Sequence, residues 1–282
     1  MNKLSLEKKT QVISALVEGN SIRATCRMTG VAKGTTTRLL ESVGKACAKY
    51  QDKTLRNLPL KTIQCDEIWA FCYAKEKNLP DKLKGRFGFG DIWTWVAIDA
   101  ETKLVPSWCV GLRDAVYAHK FMNDLKSRLS NRVQITSDGH HLYLSAVEDT
   151  FGSEVDYAML VKLYGQTPEG DKRYSPADCI ATKQERIQGN PDTSKISTSY
   201  VERQNLTMRM NMRRFTRLTN AFSKKVENLK YAVALHFMFY NFCRPHKTLN
   251  IERNLSITPA MAAGLTNKAW SVEDIIDLVN SN

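Results

Sequence analysis

Ile63-Gln-Cys-Asp66-Glu67-Ile-Trp69-Ala-Phe-Cys-Tyr73 carries the clearest structural signal in the chain. Its aromatic and branched residues favour a strand, and period-two spacing lays Ile63, Cys65, Trp69 and Phe71 along one face. The same alternation points Asp66 and Glu67 to opposite faces, so only one of the two acids is expected at a common site. Glu67 falls on the apolar face and reads as a buried, paired acid.

Downstream the pattern continues as strand. After a polar segment rich in Lys, Gly and Pro (Ala74 to Gly90), Trp93 to Ile98 reads as a second strand and Leu104 to Val110 as a third, joined by the turn Asp99–Lys103. Helical spacing follows from Ala115 to Leu129. A fourth strand, Arg132 to Ser137, ends in Asp138-Gly139; then come a helix from Leu142 to Phe151 and a strand from Val155 to Met159. Three meandering strands followed by alternating helix and strand predict an α/β fold, a mixed sheet flanked by helices. First and fourth strands of such a sheet are commonly neighbours, which would bring Asp66 to Asp138. A third acid, Glu202, opens a basic helix, Ser199 to Arg209. Oxygen ligands of this kind suit Mg²⁺, and three clustered acids are enough for two ions. Spacing alone does not select these three from 29 acids, since an Asp at a strand end is ordinarily a turn or a cap.

Upstream, residues 4–50 predict three short helices. Val12, Ile13, Leu16 and Val17 mark the first, Ser21 caps a second that ends at Gly30, and a third starts near Lys33. Helix, short Gly-containing turn and helix is the helix-turn-helix pattern, whose last helix enters the major groove with its N-terminal residues leading. Those residues are Lys33, Thr35, Thr37 and Arg38; the plainer reading is a three-helix bundle with a solvated basic face. Tyr50 to Pro59 is polar and reads as a linker.

The chain has 282 residues and a net charge of +12, unevenly spread. Residues 1–58 carry a net +7, 59–200 a net −1 and 201–282 a net +6. Two basic ends around a neutral middle favour a polyanion partner, nucleic acid before membrane. The longest apolar run, Tyr231 to Phe242, is too short to span a bilayer and contains His236. No secretory signal is read at Met1, and seven cysteines without a C-x-x-C pair fit buried thiols in a reducing cytoplasm.

Taken in order, Ile63–Trp69, Thr136-Ser-Asp138-Gly139 and Ser199-Tyr-Val-Glu202-Arg-Gln-Asn205 resemble the three signatures of DDE transposases with an RNase H-like core. The likeness is nearest to the bacterial insertion-sequence-one family. Tyr240-Asn241-Phe-Cys-Arg244-Pro245-His246, followed by Thr258-Pro259-Ala260, resembles the tail after the catalytic Glu helix. The resemblance spans about residues 60–265 and implies an RNase H-like mixed sheet behind an all-α helix-turn-helix module. It also implies metal-dependent DNA cleavage and strand transfer, with Asp66, Asp138 and Glu202 as catalytic metal ligands for two Mg²⁺ or Mn²⁺ ions. The domains expected are a helix-turn-helix module and linker over 1–58, a catalytic domain over 59–265 with an inserted loop at 163–197, and a C-terminal helix or tail over 266–282. The cysteine-rich zinc motif often found ahead of the helix-turn-helix in that family has no counterpart here, so no zinc is expected.

The resemblance further implies double-stranded DNA as partner (transposon ends and target), at least a dimer on DNA, no membrane, and a bacterial cytoplasmic, nucleoid-associated location. Arg203, Arg209, Arg213, Arg214 and Arg217 follow Glu202 closely and read as phosphate contacts or a solvated face. Arg244 is the better DNA contact in the tail, because its fork matches phosphate oxygens. Asn205 is placed to orient Glu202 or a metal-bound water. His140 and His246 divide between packing and phosphate contact. Competing readings are a transposase-derived regulator without catalysis and another RNase H-like nuclease.

Overall fold

In the computed structural model, which describes residues 4–165, 178–216, 219–249 and 256–280, the stretch around Asp66 is strand β1 (Thr62–Cys72). Three helices precede it: α1 (Leu6–Val17), α2 (Ile22–Thr29) and α3 (Lys33–Thr54). After it come β2 (Gly90–Asp99), β3 (Ser107–Gly111), α4 (Ala115–Lys126), β4 (Val133–Asp138), α5 (Leu142–Phe151) and β5 (Val155–Tyr164). The chain ends with β6 (Cys179–Gln188), α6 (Ser199–Asn211), α7 (Val226–Met238), α8 (Pro259–Ala262) and α9 (Val272–Asp277).

The sheet order is β3-β2-β1-β4-β5-β6, with β1, β4 and β5 parallel and β2, β3 and β6 antiparallel to their neighbours. This is the mixed α/β, RNase H-like sheet flanked by helices that the motif order implies. One face packs Ile63, Cys65, Trp95, Ile135 and Tyr157 against Phe121 and Met122 of α4 and Tyr143 and Val147 of α5. The other packs Ile68, Ile92 and Val96 against Val201 and Met208 of α6 and Val233 and Phe237 of α7. Apolar burial on both faces makes β1 a central strand.

Register fixes where the acids go. β1 runs beside β2 from Ile63 to Cys72, but beside β4 only from Thr62 to Cys65. Past Cys65, β1 projects beyond the end of β4, and Asp66 and Asp138 both sit at that step.

The linker expected at 50–59 is instead tertiary structure. α3 continues through Thr54, Tyr50 packs on Phe242 and Trp270, and Leu55 and Leu58 are fully buried. Burying such a leucine contributes about 1.5–3 kcal/mol. Arg128 ties the segment down through the Leu55 carbonyl, Asp52 and Asp124. Polar composition misled because Gln51 and Asp52 face specific partners, with Gln51 donating to the Ala234 carbonyl at 2.9 Å. The N-terminal helices therefore share one core with the sheet domain: Ile13, Leu40, Val43 and Cys47 belong to the same cluster as Met238 and Phe242.

Two other segments differ from expectation. Residues 179–188 of the expected inserted loop form β6, paired with β5 from Tyr157 to Tyr164, while 166–177 lie outside the described residues. β6 is exposed on both faces, so no apolar alternation marked it. The third strand starts at Ser107 rather than Leu104, since Pro106 cannot donate to a ladder. Asn241 takes over there, donating to the Val105 carbonyl and accepting its N–H. The C-terminal helix α9 carries a Ser271–Asp274 capping box and docks on its own chain through Ile275 and Ile276.

Candidate functional site

Asp66 and Asp138 converge at the step in the sheet, as the strand order requires. Ligating oxygens of Asp66, Glu67 and Asp138 all lie within 4.8 Å of one another. Asp66 Oδ1 accepts the Glu67 N–H at 2.8 Å, and its Oδ2 accepts Asn205 Nδ2 at 2.8 Å. Asp138 Oδ1 accepts the His140 N–H at 3.0 Å. Burial, then the neighbouring charge of Asp138, pushes the Asp66 carboxyl up to about 7, with Glu202 adding to the rise. Crowded acids of this kind are short of positive charge.

α6 carries the third expected acid, Glu202, which is not one of the clustered oxygens of Asp66, Glu67 and Asp138. The helix N-terminus is anchored on β1 by Gln64, whose side-chain oxygen accepts the Tyr200 and Val201 N–H groups at 2.8 and 3.2 Å. These are among the donors a helix start leaves unpaired. Glu202 follows in the first turn, where the helix dipole favours a carboxylate. Lys162 of β5 reaches both Glu202 oxygens at 2.5 Å, and the Thr198 hydroxyl donates to one of them. Asn205, one turn on, is buried and orients Asp66 rather than Glu202.

The expected split of Asp66 and Glu67 holds only in part. Glu67 is indeed buried and paired, its Oε2 lying 3.4 Å from Arg113, which itself lies over the Trp93 ring. Yet Glu67 also joins the acid cluster, because no strand separates the two faces beyond the end of β4. Burial, then Asp138, pushes its carboxyl up to about 8 against the opposing pull of Arg113. The Tyr143 hydroxyl tempers that rise as a hydrogen-bond donor close to the Glu67 carboxyl, although it stands beyond ordinary bonding distance.

His140 stacks on Trp95 at 6.4 Å between centroids, and burial and Arg113 hold its imidazole below the ordinary range. His246 bonds Thr248 at 2.9 Å and is also lowered, by burial and by the positive charges of Lys103, Arg244 and Arg203. Arg203, Arg244 and His246 therefore share a basic neighbourhood beside the start of α6. Tyr240 and Asn241 of the same tail are structural, binding the Lys103 carbonyl and Val105.

A second basic feature lies between the N-terminal helices and the core. A cavity of about 790 Å³ is lined by Arg23, Lys33, Arg213, Arg214, Lys224 and Lys225, and by no Asp or Glu among the described residues. Lys33 and Thr37 from the start of α3 open into it together with Arg213. Arg38 bonds Thr35 at 3.4 Å on the outer side of α3, and neither lines the cavity. Arg209 lies half-buried on α6, and Arg217 is outside the described residues. Sequence reading passed over Gln64, although its place two residues before Asp66 put it on the same face. Lys162 carried no signal, lying beyond the expected end of its strand.

All donors of the acid cluster are carboxylate oxygens, the hard ligands that Mg²⁺ and Mn²⁺ prefer. The buried oxygens Glu67 Oε1 and Asn205 Oδ1 find no hydrogen-bond partner among the described residues. The residues present therefore fit a divalent cation. No helix among the described residues is long and apolar enough to cross a membrane.

No protein-family model and no curated protein matches the sequence. Among solved structures, the chain is similar to a piggyBac transposase synaptic complex with hairpin DNA, at 12% identity and a TM-score of 0.39, over 100% of this chain and 73% of that one. It is also similar to the Mos1 strand transfer complex, at 12% identity and a TM-score of 0.24, over 84% and 76% of the two chains. A pre-cleavage Mos1 transpososome matches at 11% identity and a TM-score of 0.22, over 56% of this chain and 60% of that one.

Proposed function

We propose that this chain is a DDE transposase of the insertion-sequence-one kind its motifs resemble, a metal-dependent DNA nuclease and strand transferase. The observation that carries the reading is the meeting of Asp66 and Asp138, 72 residues apart, at one step in the sheet; Glu202 stands outside that cluster at the start of α6, near enough for its charge to raise Asp66. The basic cavity supports a polyanionic substrate close to the N-terminal helices.

Asp66, Asp138 and Glu202 would hold the ions, two in the expected complement. Mg²⁺ or Mn²⁺ bound there supplies Lewis-acid polarisation at phosphorus and lowers the pKa of the attacking water or 3′-hydroxyl. Asn205 holds one Asp66 oxygen and the Glu67 N–H the other, fixing the carboxylate in one orientation. Arg203, Arg244 and His246 hold backbone phosphates in line, and the start of α3, with Lys33, Thr35, Thr37 and Arg38, reads the terminal repeat. Arg209 and Arg213 track phosphates along and beyond α6, and His140 stands by the scissile phosphate. The new P–O bond forms as the old one breaks, with no covalent protein intermediate. Pairing two ends requires at least two protomers on DNA, in the nucleoid of a bacterial cytoplasm.

The test is nicking of a labelled duplex carrying the inverted repeat that flanks the reading frame. Wild type should cut at the element boundary with Mg²⁺ or Mn²⁺, while Asp66→Asn, Asp138→Asn and Glu202→Gln bind but do not cut. Equal binding by all four with no cutting, even on preassembled paired ends, would replace the proposal with a non-catalytic regulator. The Lys162–Glu202 pair is the contact that favours that second reading.

A further inference from the structure

We infer that Glu67 is itself an ion ligand of this centre, a fourth carboxylate beside Asp66, Asp138 and Glu202. The inference rests on the metal-nuclease reading above and assigns a ligand that the motif resemblance does not supply.

Strand alternation argues against it, and the register removes the objection. Alternation points neighbouring side chains to opposite faces, but it is the adjacent strand that bars their ends from meeting across the sheet plane. β4 stops pairing with β1 at Cys65, so the side of β1 that faces β4 is open from Asp66 onward. Asp66 and Glu67 lean into that gap from opposite faces, and Asp138 closes it from the tip of β4.

Clustering alone would not make Glu67 a ligand; its unmade bond does. The Glu67 side chain is 1% exposed, and its Oε1 has no hydrogen-bond partner among the described residues. A buried acid kept only for an ion pair satisfies its remaining lone pairs with further donors. Here Arg113 meets Oε2 at 3.4 Å and its guanidinium lies 4.7 Å from the Trp93 ring, while the other oxygen has only the Tyr143 hydroxyl near it, beyond ordinary bonding distance. Glu202, by contrast, has both oxygens occupied by Lys162 and Thr198. The carboxylates that share one place for an incoming ion are Asp66, Asp138 and Glu67, whose oxygens lie within 4.8 Å of one another. Once a cation draws off their protons, the three carboxylates carry three charges, of which Arg113 offsets one and a divalent ion the other two.

Mn²⁺ titration of the full-length protein, read by electron paramagnetic resonance of the free ion and by thermal melting with and without Mn²⁺, tests this. Glu67→Gln should weaken Mn²⁺ binding by roughly tenfold to a hundredfold, the range already seen when only a ligand's supporting partner is lost. The Mn²⁺-induced rise in melting temperature should shrink with it. Glu67→Asp keeps the charge but withdraws the oxygen by one methylene, and should weaken binding too; it decides the matter if Glu67→Gln does not fold. Arg113→Gln strips the ion pair yet leaves the ligand, and should keep or tighten Mn²⁺ binding. Wild-type affinity in folded Glu67→Gln or Glu67→Asp, with Asp66→Asn impaired, overturns the inference alone. Equal weakening by Arg113→Gln also overturns it, making the pair structural. No Mn²⁺ binding by the wild type overturns the metal centre as a whole.

Discussion

Gln64 sits two residues before Asp66 on the same face of β1, and its side-chain oxygen is the acceptor for the first free N–H groups of α6. One amide thus sets the spacing between an acid on the sheet and an acid on a helix. Gln64→Ala leaves the buried Val201 N–H unpaired, and should cost about 1–3 kcal/mol in chemical denaturation. A shift of the helix start by an ångström should slow cleavage on the order of a hundredfold, as misplaced groups do. Gln64→Glu retains an acceptor and should recover most of both. His236 makes a separate prediction. Burial pushes its imidazole down to about 3, and Gln204 donates to its Nε2 at 3.3 Å, a bond that needs the neutral ring. The unfolded chain takes up its proton near pH 6.5. Stability from this group is therefore complete above that pH and is lost as pH falls toward 3, at up to about 1.4 kcal/mol per pH unit. Urea midpoints measured between pH 7 and 4 should fall less steeply in His236→Asn than in the wild type.

At the level of elements, the contact between α3 and α7 joins the N-terminal helices to the core, and Gly44 makes it possible. A Cβ at Gly44 would lie 2.5 Å from Tyr231 Cβ and 2.6 Å from the Tyr231 carbonyl oxygen, so the two backbones touch through the missing side chain. Helix propensity favours alanine over glycine by about 1 kcal/mol, and overpacking against backbone opposes it by about 1–3 kcal/mol. Gly44→Ala should thus be neutral to destabilising, and Gly44→Val clearly destabilising. A drop of about 2–4 °C in melting temperature per kcal/mol is expected for a chain of this size. A Gly44→Val protein that melts as the wild type does would show that the contact is dispensable. β6 belongs to the same scale: a strand exposed on both faces pairs with β5, helped by Gln184 and Gln188 bonds to neighbouring carbonyls, a pairing that its composition did not announce.

For the whole molecule, charge is arranged so that the acids stand at the step in the sheet and cations flank them. One basic group, Arg203, Arg244 and His246, lies beside α6; the other lines the cavity between the N-terminal helices and the core. Neutralising a phosphate releases counterions, so log affinity for duplex DNA should fall linearly with log salt, by about 0.9 per phosphate neutralised. Replacing Arg213, Lys224 and Lys225 together with Gln should flatten that slope in proportion to the phosphates left without a cation. Asp66→Asn should leave it unchanged, since every cation of the cavity stays in place. Fluorescence anisotropy across 50–300 mM salt, a range over which such binding weakens roughly a thousandfold or more, measures both.

Local periodicity is enough to set the order of the first five strands and of the helices between them, and the nearness of Asp66 to Asp138, because a β-meander followed by αβ units closes in few ways. It also marks the basic N-terminal helices, since capping residues and Gly30 punctuate them locally. Where pairing stops is a different kind of fact, visible only once the chain is packed. The end of β4 at Asp138 opens β1 beyond Cys65 and lets Glu67 reach the acids from the opposite face. Alternation along one strand holds no information about the length of its neighbour. The same is true of Lys162 against Glu202, of Tyr50 on Trp270 and of Gly44 against Tyr231. Each joins residues from dozens to more than two hundred positions apart, and packing, not local propensity, brings them together.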